Sequence, residues 1–452
     1  MLRYRCAVRA VCAIVLGGVL CLVWPTAAQG QSPGAPPEHV HPAPAPEGAV
    51  VVQAHQHDTA ATSLFSPREV SGTAWQPDLT PMYGWHRQTR GWEVMLHGNA
   101  FVQLLHESAP EHRGATQAGS INWVMAGARR PLGAGRVGLR TMMSLEPWTI
   151  PGCGYPNLLA TGEFCDGESI HDKQHPHDLF MEVAADFDRP LTSSLRWQIY
   201  GGLAGEPALG PPGFPHRLSA MPNPMSPIGH HWMDATHISF GLITAGVYGT
   251  RWKAESSAFN GREPDESRGN IDIGPLDSVA GRLSFMPTTA LAVQVSGGRL
   301  REAEMPDSGG TPVDLTRVTA SAIYHRQVMG ASPWATTLAW GANREDGDTT
   351  HSVMVESSLN LLDGHALFGR MEVGGKPAHD LHIHESHEVF TVRKLQAGYA
   401  RFVNARRGLQ PGIGATISAA MVPDTLQPRY GGVGVGIGVF LTVRPAVHQM
   451  VP

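Results

Sequence analysis

Apolar and polar positions alternate along most of this chain. In Gly135–Trp148, Val137, Leu139, Thr141, Met143 and Leu145 oppose Arg136, Arg140, Ser144 and Glu146. In Arg317–Gln327, Val318, Ala320, Ala322 and Tyr324 oppose Arg317, Thr319, Ser321 and His325, and Ser352–Leu361 repeats the plan with Glu356 on its polar side. A period of two marks a strand whose two faces meet different surroundings. About sixteen such stretches follow one another: Glu93–Glu107, Gly119–Arg130, Gly135–Trp148, Asp178–Arg189, Ser194–Gly205, His237–Tyr248, Arg251–Asn260, Ser278–Met286, Ala290–Leu300, Arg317–Gln327, Pro333–Asn343, Ser352–Leu361, Ala366–Val373, Val389–Asn404, Gly412–Val422 and Gly431–Pro445. Ile170–Phe187 changes character midway. A loop dense in imidazole and carboxylate, His171 to Asp178, feeds a strand in which Leu179, Met181, Val183, Ala185 and Phe187 oppose Phe180, Glu182, Ala184 and Asp186.

Long and short connections alternate between these strands. Thr149–His177, Glu206–Thr236 and Gly261–Asp277 are long, whereas Pro131–Ala134, Pro190–Ser193 and Gly249-Thr250 are turns. The fold class this predicts is all-β: a closed antiparallel transmembrane β-barrel of about 16 strands, with short periplasmic turns and long external loops. Closure pairs every backbone group inside lipid. An even strand number puts both ends of the barrel domain, residues 92–452, on the periplasmic side. Trp123, Trp148, Trp252, Trp334, Tyr324 and Tyr399 fall near strand ends, as interfacial aromatics do, and Phe440 falls near the end of the last strand.

The N-terminus reads as a signal peptide over residues 1–28. Arg3, Arg5 and Arg9 precede an apolar run, and small residues around Ala28 offer a cleavage site. Residues 29–91 read as a Pro/His-containing tail, disordered over Gln31–Gln56, and a periplasmic approach segment in which Trp75 suggests docking. The location expected is the bacterial outer membrane, with this tail in the periplasm and membrane lipid as a partner. A homo-oligomer is left open. Cys153 and Cys165 remain after the signal, and a close pair in an exported chain points to a disulfide. A Cys/His metal site with His171 is the alternative.

Charge and chemistry narrow the functions. Charged residues make up 16% of the chain and the net charge is −5, which gives no basis for a nucleic-acid partner. The 23 histidines lie beyond the signal, and topology gathers the richest motifs at the external mouth. His175-Pro-His177-Asp178 and His230-His231…Asp234…His237 carry donors that zinc and copper accept, though without the spacing of a known zinc motif. Hydrogen bonding at a loop base is the structural alternative. His379, His382, His384 and His387 form a third His-rich loop, and Arg262 is placed to lock Asp265 or a carboxylate of a neighbouring loop. Pore-lining charges are Arg136, Arg140, Arg282 and Arg393 against Glu182, Asp186, Glu255 and Glu356. They set up either a transverse field or a self-satisfied network.

The stretches SGTAWQPD…PM, HGNAF, HDKQHPHDLFMEVA, SPIGHHWMDATHISFG, FNGREPDE and AIYHR resemble a family of uncharacterised bacterial outer-membrane β-barrel proteins, from about Ser71 to the C-terminus. The resemblance implies the location and the barrel and supplies no mechanism. Some members of that family accompany heavy-metal or copper resistance systems. The His/Met-rich character is distantly similar to CopB-type copper-resistance outer-membrane proteins, although this tail is far less Met-rich.

Three functions follow. The first is a porin-like channel for small solutes with a linkage to metal ions, since a barrel of this size normally encloses water. The second is a copper- or zinc-binding outer-membrane protein in metal resistance. The third, with least support in the residues, is a barrel-embedded hydrolase. No nucleophile elbow or zinc-protease motif is present, so His97, on the lumen side of the first strand, is its only pointer.

Overall fold

The computed structural model describes residues 63–304, 311–329, 332–345, 347–361, 364–383, 386 and 388–447, and the backbone of 449–450. The expected signal peptide and the tail up to residue 62 lie outside the described residues, as do His384 and His387.

Sixteen antiparallel strands form a closed barrel. They are β1 (Trp92–Ser108), β2 (Ala115–Leu132), β3 (Gly135–Met143), β4 (Phe180–Pro190), β5 (Arg196–Gly205), β6 (Ser239–Tyr248), β7 (Trp252–Phe259), β8 (Ser278–Thr288), β9 (Leu291–Glu304), β10 (Val313–Val328), β11 (Ser332–Glu345), β12 (Asp348–Asn360), β13 (His365–Pro377), β14 (Val389–Phe402), β15 (Leu409–Met421) and β16 (Gly434–Pro445). Each pairs with the next, and β16 closes on β1 from Val435↔Ser108 to Val443↔Ala100. The short strand Trp85–Thr89 folds back on the start of β1.

The outer surface is apolar because alternate residues point to it. Val102 and Leu104 on β1, Leu139 on β3, Leu283 and Phe285 on β8, and Ile437, Val439 and Leu441 on β16 are exposed. Their neighbours Gln103, Arg140, Ser284 and Thr442 are buried inside. Trp148, Trp252 and Tyr399 are exposed as girdle residues should be. Two of the expected girdle aromatics are elsewhere. Phe440 is only 3% exposed and packs inward on Phe101 and Phe368. Trp123 points into the lumen, against His97 and His216. Parity decides both, since each shares the face of buried neighbours two residues away, Thr442 and Met125.

A second departure is local. The β3–β4 register slips between Met142 and Met143, so Met181 forms a bulge. Met181 therefore packs inside with Met125 and Met142 instead of facing out beside Val183.

The lumen is not an empty tube. The N-terminal segment from Leu64 to Pro81 lies inside it, toward the end that carries the short turns. The segment 206–238 crosses the lumen from β5 to the opposite wall. The loop after β3 enters as a hairpin, Tyr155–Cys165 with Glu168–Gln174. Cys153, just before the hairpin, and Cys165, beside its turn, are joined in a disulfide.

Buried irregular backbone needs hydrogen-bond partners, and the polar lumen wall provides them. Along 206–238, the Ala208 and Gly210 N–H groups donate to Ser257 (2.7 Å) and Ser296 (2.8 Å). The Met221 and Met225 carbonyls accept from Asn99 (2.9 Å) and Arg370 (2.8 Å), and the Gly229 N–H donates to Glu372 (3.0 Å). Seven prolines between 207 and 227 remove donors that would otherwise need partners.

Candidate functional site

The inward charges of the wall hold these segments in place. Arg217 is 1% exposed and reaches Asp234 at 2.5 Å and Glu356 at 2.6 Å, while Arg370 takes the other Glu356 oxygen at 3.0 Å. Lys394 donates to Glu107 (3.0 Å), Asn157 (2.8 Å) and the Leu158 carbonyl (3.2 Å), pinning the hairpin to the wall. At the short-turn end of the barrel, Glu69 lies between Arg129 and Arg136. These two guanidinium groups outweigh burial and draw the Glu69 carboxyl down to about 2. Arg140 donates to the Val70 and Gly72 carbonyls and pairs with Glu182 at 3.1 Å. Arg282 pairs with Glu255 at 3.2 Å and donates to Thr73.

Of the eight charges expected to line a pore, seven therefore face inward and are engaged with partners in this interior. Arg136 completes them through Glu69 and Asp188, and Asp186 through Arg129. Arg393 does not join them. It is exposed on the outer face, between the buried Val392 and Lys394. The inward cation of β14 is Lys394, and a one-residue shift of parity moves a side chain to the other face.

The two His-rich motifs, more than fifty residues apart in sequence, meet beneath the external mouth. The His177 and His237 rings are 5.3 Å apart, His230 and His237 5.1 Å, His230 and His231 5.4 Å, and His175 and His231 6.1 Å. Each imidazole places Nδ1 near an oxygen. His177 faces Glu146 at 3.0 Å, His230 Asp234 at 2.8 Å, His237 the Asp234 carbonyl at 2.8 Å, His175 Glu163 at 3.1 Å and His231 Glu263 at 3.2 Å. Nε2 of His175, His177, His231 and His237 is buried without a protein partner. Anchoring one ring nitrogen this way fixes the tautomer and leaves the other as a lone pair, the arrangement found behind metal-bound histidines.

Burial dominates the electrostatics. It holds His230 below the ordinary imidazole value, His175 and His237 well below it, and His231 at about 4. His177 is the exception, because the Glu146 carboxylate outweighs burial and raises it. Burial also lifts Asp178, beside Arg268, to about 7. Asp234 is held low, since Arg217 and His230 overcome burial.

The seven expected ligands thus share one cluster, yet their donor atoms do not converge on one point. Among the described residues, His231 alone of the seven joins a group whose ligand atoms all lie within 4.8 Å of one another, with Glu263 and Glu304 as its partners. Glu263 belongs to the FNGREPDE motif, and burial beside Glu163 raises it to about 8. Glu304 ends β9 and left no sequence signal, because a lone carboxylate at a strand end is ordinary. The Gly162 backbone, at φ +114°, lets the His231 ring sit against it; a Cβ there would lie 2.1 Å from the ring. In the same motif, Arg262 reaches Glu302 at 2.8 Å rather than Asp265.

These three residues line a cavity of about 330 Å³ at the mouth, together with Glu163, Glu345, His379 and Asp380, and no lysine or arginine is among its described lining residues. At its one pointer the hydrolase reading gains no support. Nε2 of His97 lies 2.8 Å from the Met125 sulfur, where a hydrolase would place a serine.

No protein-family model and no curated protein matches this chain. Among solved structures, the chain is similar to OmpF of Salmonella typhi, solved with daunomycin, at 10% identity and a TM-score of 0.49 over 79% of this chain and 99% of that one. It is similar to an anion-selective porin from Comamonas acidovorans at 12% identity and a TM-score of 0.43, over 78% and 99%. OmpT of Vibrio cholerae gives 8% identity and a TM-score of 0.43, over 79% and 98%. These likenesses concern the barrel and carry nothing about what it binds or passes.

Proposed function

We propose that this chain is a porin-like outer-membrane channel, narrowed by its inward-folded segments, whose mouth favours cations. The supporting observation is a closed barrel with an apolar outer band around a charged interior, opening outward on a cavity lined by carboxylates. Rings of carboxylates select cations. Single-channel recording of the purified full chain in a planar bilayer is expected to give small steps with cation selectivity. Silence from a folded, inserted protein, or anion selectivity, would overturn the reading.

A metal linkage is favoured at the mouth by one observation, the converging donor atoms of His231, Glu263 and Glu304. One imidazole and two carboxylates suit zinc. Zinc added on the external side is expected to block the steps. Glu304→Gln should weaken the block about tenfold or more, with conductance in zinc-free buffer retained. An unchanged zinc response in Glu304→Gln and His231→Ala would remove these residues as ligands.

A further inference from the structure

A second ligand set lies deeper in the lumen, outside the histidine motifs. His97 on β1 is directly opposite Met125 on β2, and Met125 is directly opposite Met142 on β3. All three point inward, so one row across three strands presents an imidazole and two thioethers. Opposed residues on one face sit about 4.5–5.5 Å apart at Cβ. The segment 206–238 lowers a second imidazole onto the row. Nε2 of His216 lies 3.2 Å from the Met142 sulfur, and Nε2 of His97 lies 2.8 Å from the Met125 sulfur. Trp123 packs on both rings, with centroids 5.1 Å from His97 and 4.8 Å from His216, and holds them side by side.

These nitrogen–sulfur approaches, 2.8 and 3.2 Å, fall within the range of about 2.7–3.2 Å of ordinary N–H···O bonds, although a thioether is a weak acceptor. A barrel built only for stability gains little from them. A soft cation between nitrogen and sulfur gains from both. His97, Met125 and His216 border a cavity of about 110 Å³ that is also lined by Met82, Met95 and Met221. Four methionines from separate parts of the chain thus line one small space. Of the arginines lining this cavity, Arg129 is paired with Glu69 and Asp186 and Arg140 with Glu182, while Arg444 donates to Gln410, to Asn360 and to the sulfur of Met221, which it takes out of the ligand set.

We propose that His97, Met125, Met142 and His216 form a binding site for a soft monovalent transition-metal ion, of which Cu(I) is the representative. Two neutral imidazoles and two thioethers match its preference for soft donors. They offer nothing to hard divalent ions, which take oxygen ligands. The ion enters by opening the two nitrogen–sulfur contacts, a movement the flexible methionine side chains permit. The proposal stands apart from conduction and from the zinc site at the mouth.

The test is a Cu(I) titration of the full-length protein in detergent against a chromophoric Cu(I) chelator, with X-ray absorption of the loaded protein. The expected result is one tightly held Cu(I) with sulfur among its bonded atoms. Met125→Leu/Met142→Leu nearly conserves volume and should leave the barrel folded. It should lose the sulfur signal and weaken binding by more than the roughly tenfold that loss of a supporting group costs a metal site. Glu304→Gln should bind Cu(I) as the parent does. Absence of sulfur from the parent's copper, or a double variant that binds like the parent, would overturn the site. So would loss of the Cu(I) in Glu304→Gln.

Discussion

Arg217→Met is expected to lower the urea stability of the folded protein by about 3–5 kcal/mol and to enlarge its single-channel steps several-fold. Arg217 is the tie between the crossing segment and the far wall. It joins Asp234, within the segment, to Glu356 on β12, and all three side chains are 1% exposed. Methionine fills similar space and removes the charge. Asp234 keeps His230 at 2.8 Å, and Glu356 keeps Arg370 and the Ser219 hydroxyl, but each loses its shared cation. A buried carboxylate without its cation is far costlier than a pair replaced whole. The segment relieves this by leaving the lumen, so new protease cleavage between 206 and 238 should accompany the larger steps. Arg217→Lys keeps the charge without the planar fork and should fall between. Steps and urea midpoint both unchanged in Arg217→Met would mean that the segment is held by its backbone bonds to the wall alone.

The docking of Leu64–Pro81 is expected to weaken as pH rises through about 7. Glu206 is the group responsible. Ser71 donates to it at 2.5 Å, and a Cβ on Gly72 would lie 2.7 Å from its own Cβ, so the segment seals it from water. Burial raises its carboxyl from 4.5 to about 7, against the lowering effects of Arg282 and Ser71. The sign follows from proton uptake. Between 4.5 and 7 the docked state holds a proton that the hydrated carboxyl has lost, so docking is strongest at low pH and weakens as that proton leaves. Arg282, Glu182 and the Gly213 backbone also face the Glu206 carboxyl, and Tyr200 meets the Glu206 backbone. Glu69 titrates near 2, far below this window. Protease cleavage within 64–81 should therefore be faster at pH 8 than at pH 5, and Glu206→Gln should flatten the difference. A pH profile unchanged in Glu206→Gln would assign the effect to another group.

The alternation of side chains carried the barrel in plain sight. Val353, Glu356 and their neighbours had to face different media, and sixteen repeats with short and long connections in turn leave few architectures besides closure. The inward direction of Arg140, Arg282, Glu356 and His97 came from the same parity. Parity misled only where local geometry broke it, at the Met181 bulge, or where a charge next to the true lumen residue drew attention, as Arg393 did beside Lys394.

What lay beyond the pattern was the path of the irregular segments. The proline-rich stretch 206–238 has no periodicity, so nothing in its order of residues states that it turns into the lumen. Its course is set by wall side chains more than a hundred residues away, such as Glu356, Arg370 and Glu372, which satisfy its backbone and its one buried arginine. The same folding decides the chemistry. The motifs named the histidines of the mouth, but only the packed loops bring Glu304 to His231, and only strand register sets His97, Met125 and Met142 in one row beneath His216. Local sequence fixes which face a side chain takes, because that depends on its own strand. Which side chains meet depends on closure and on the loops that closure confines.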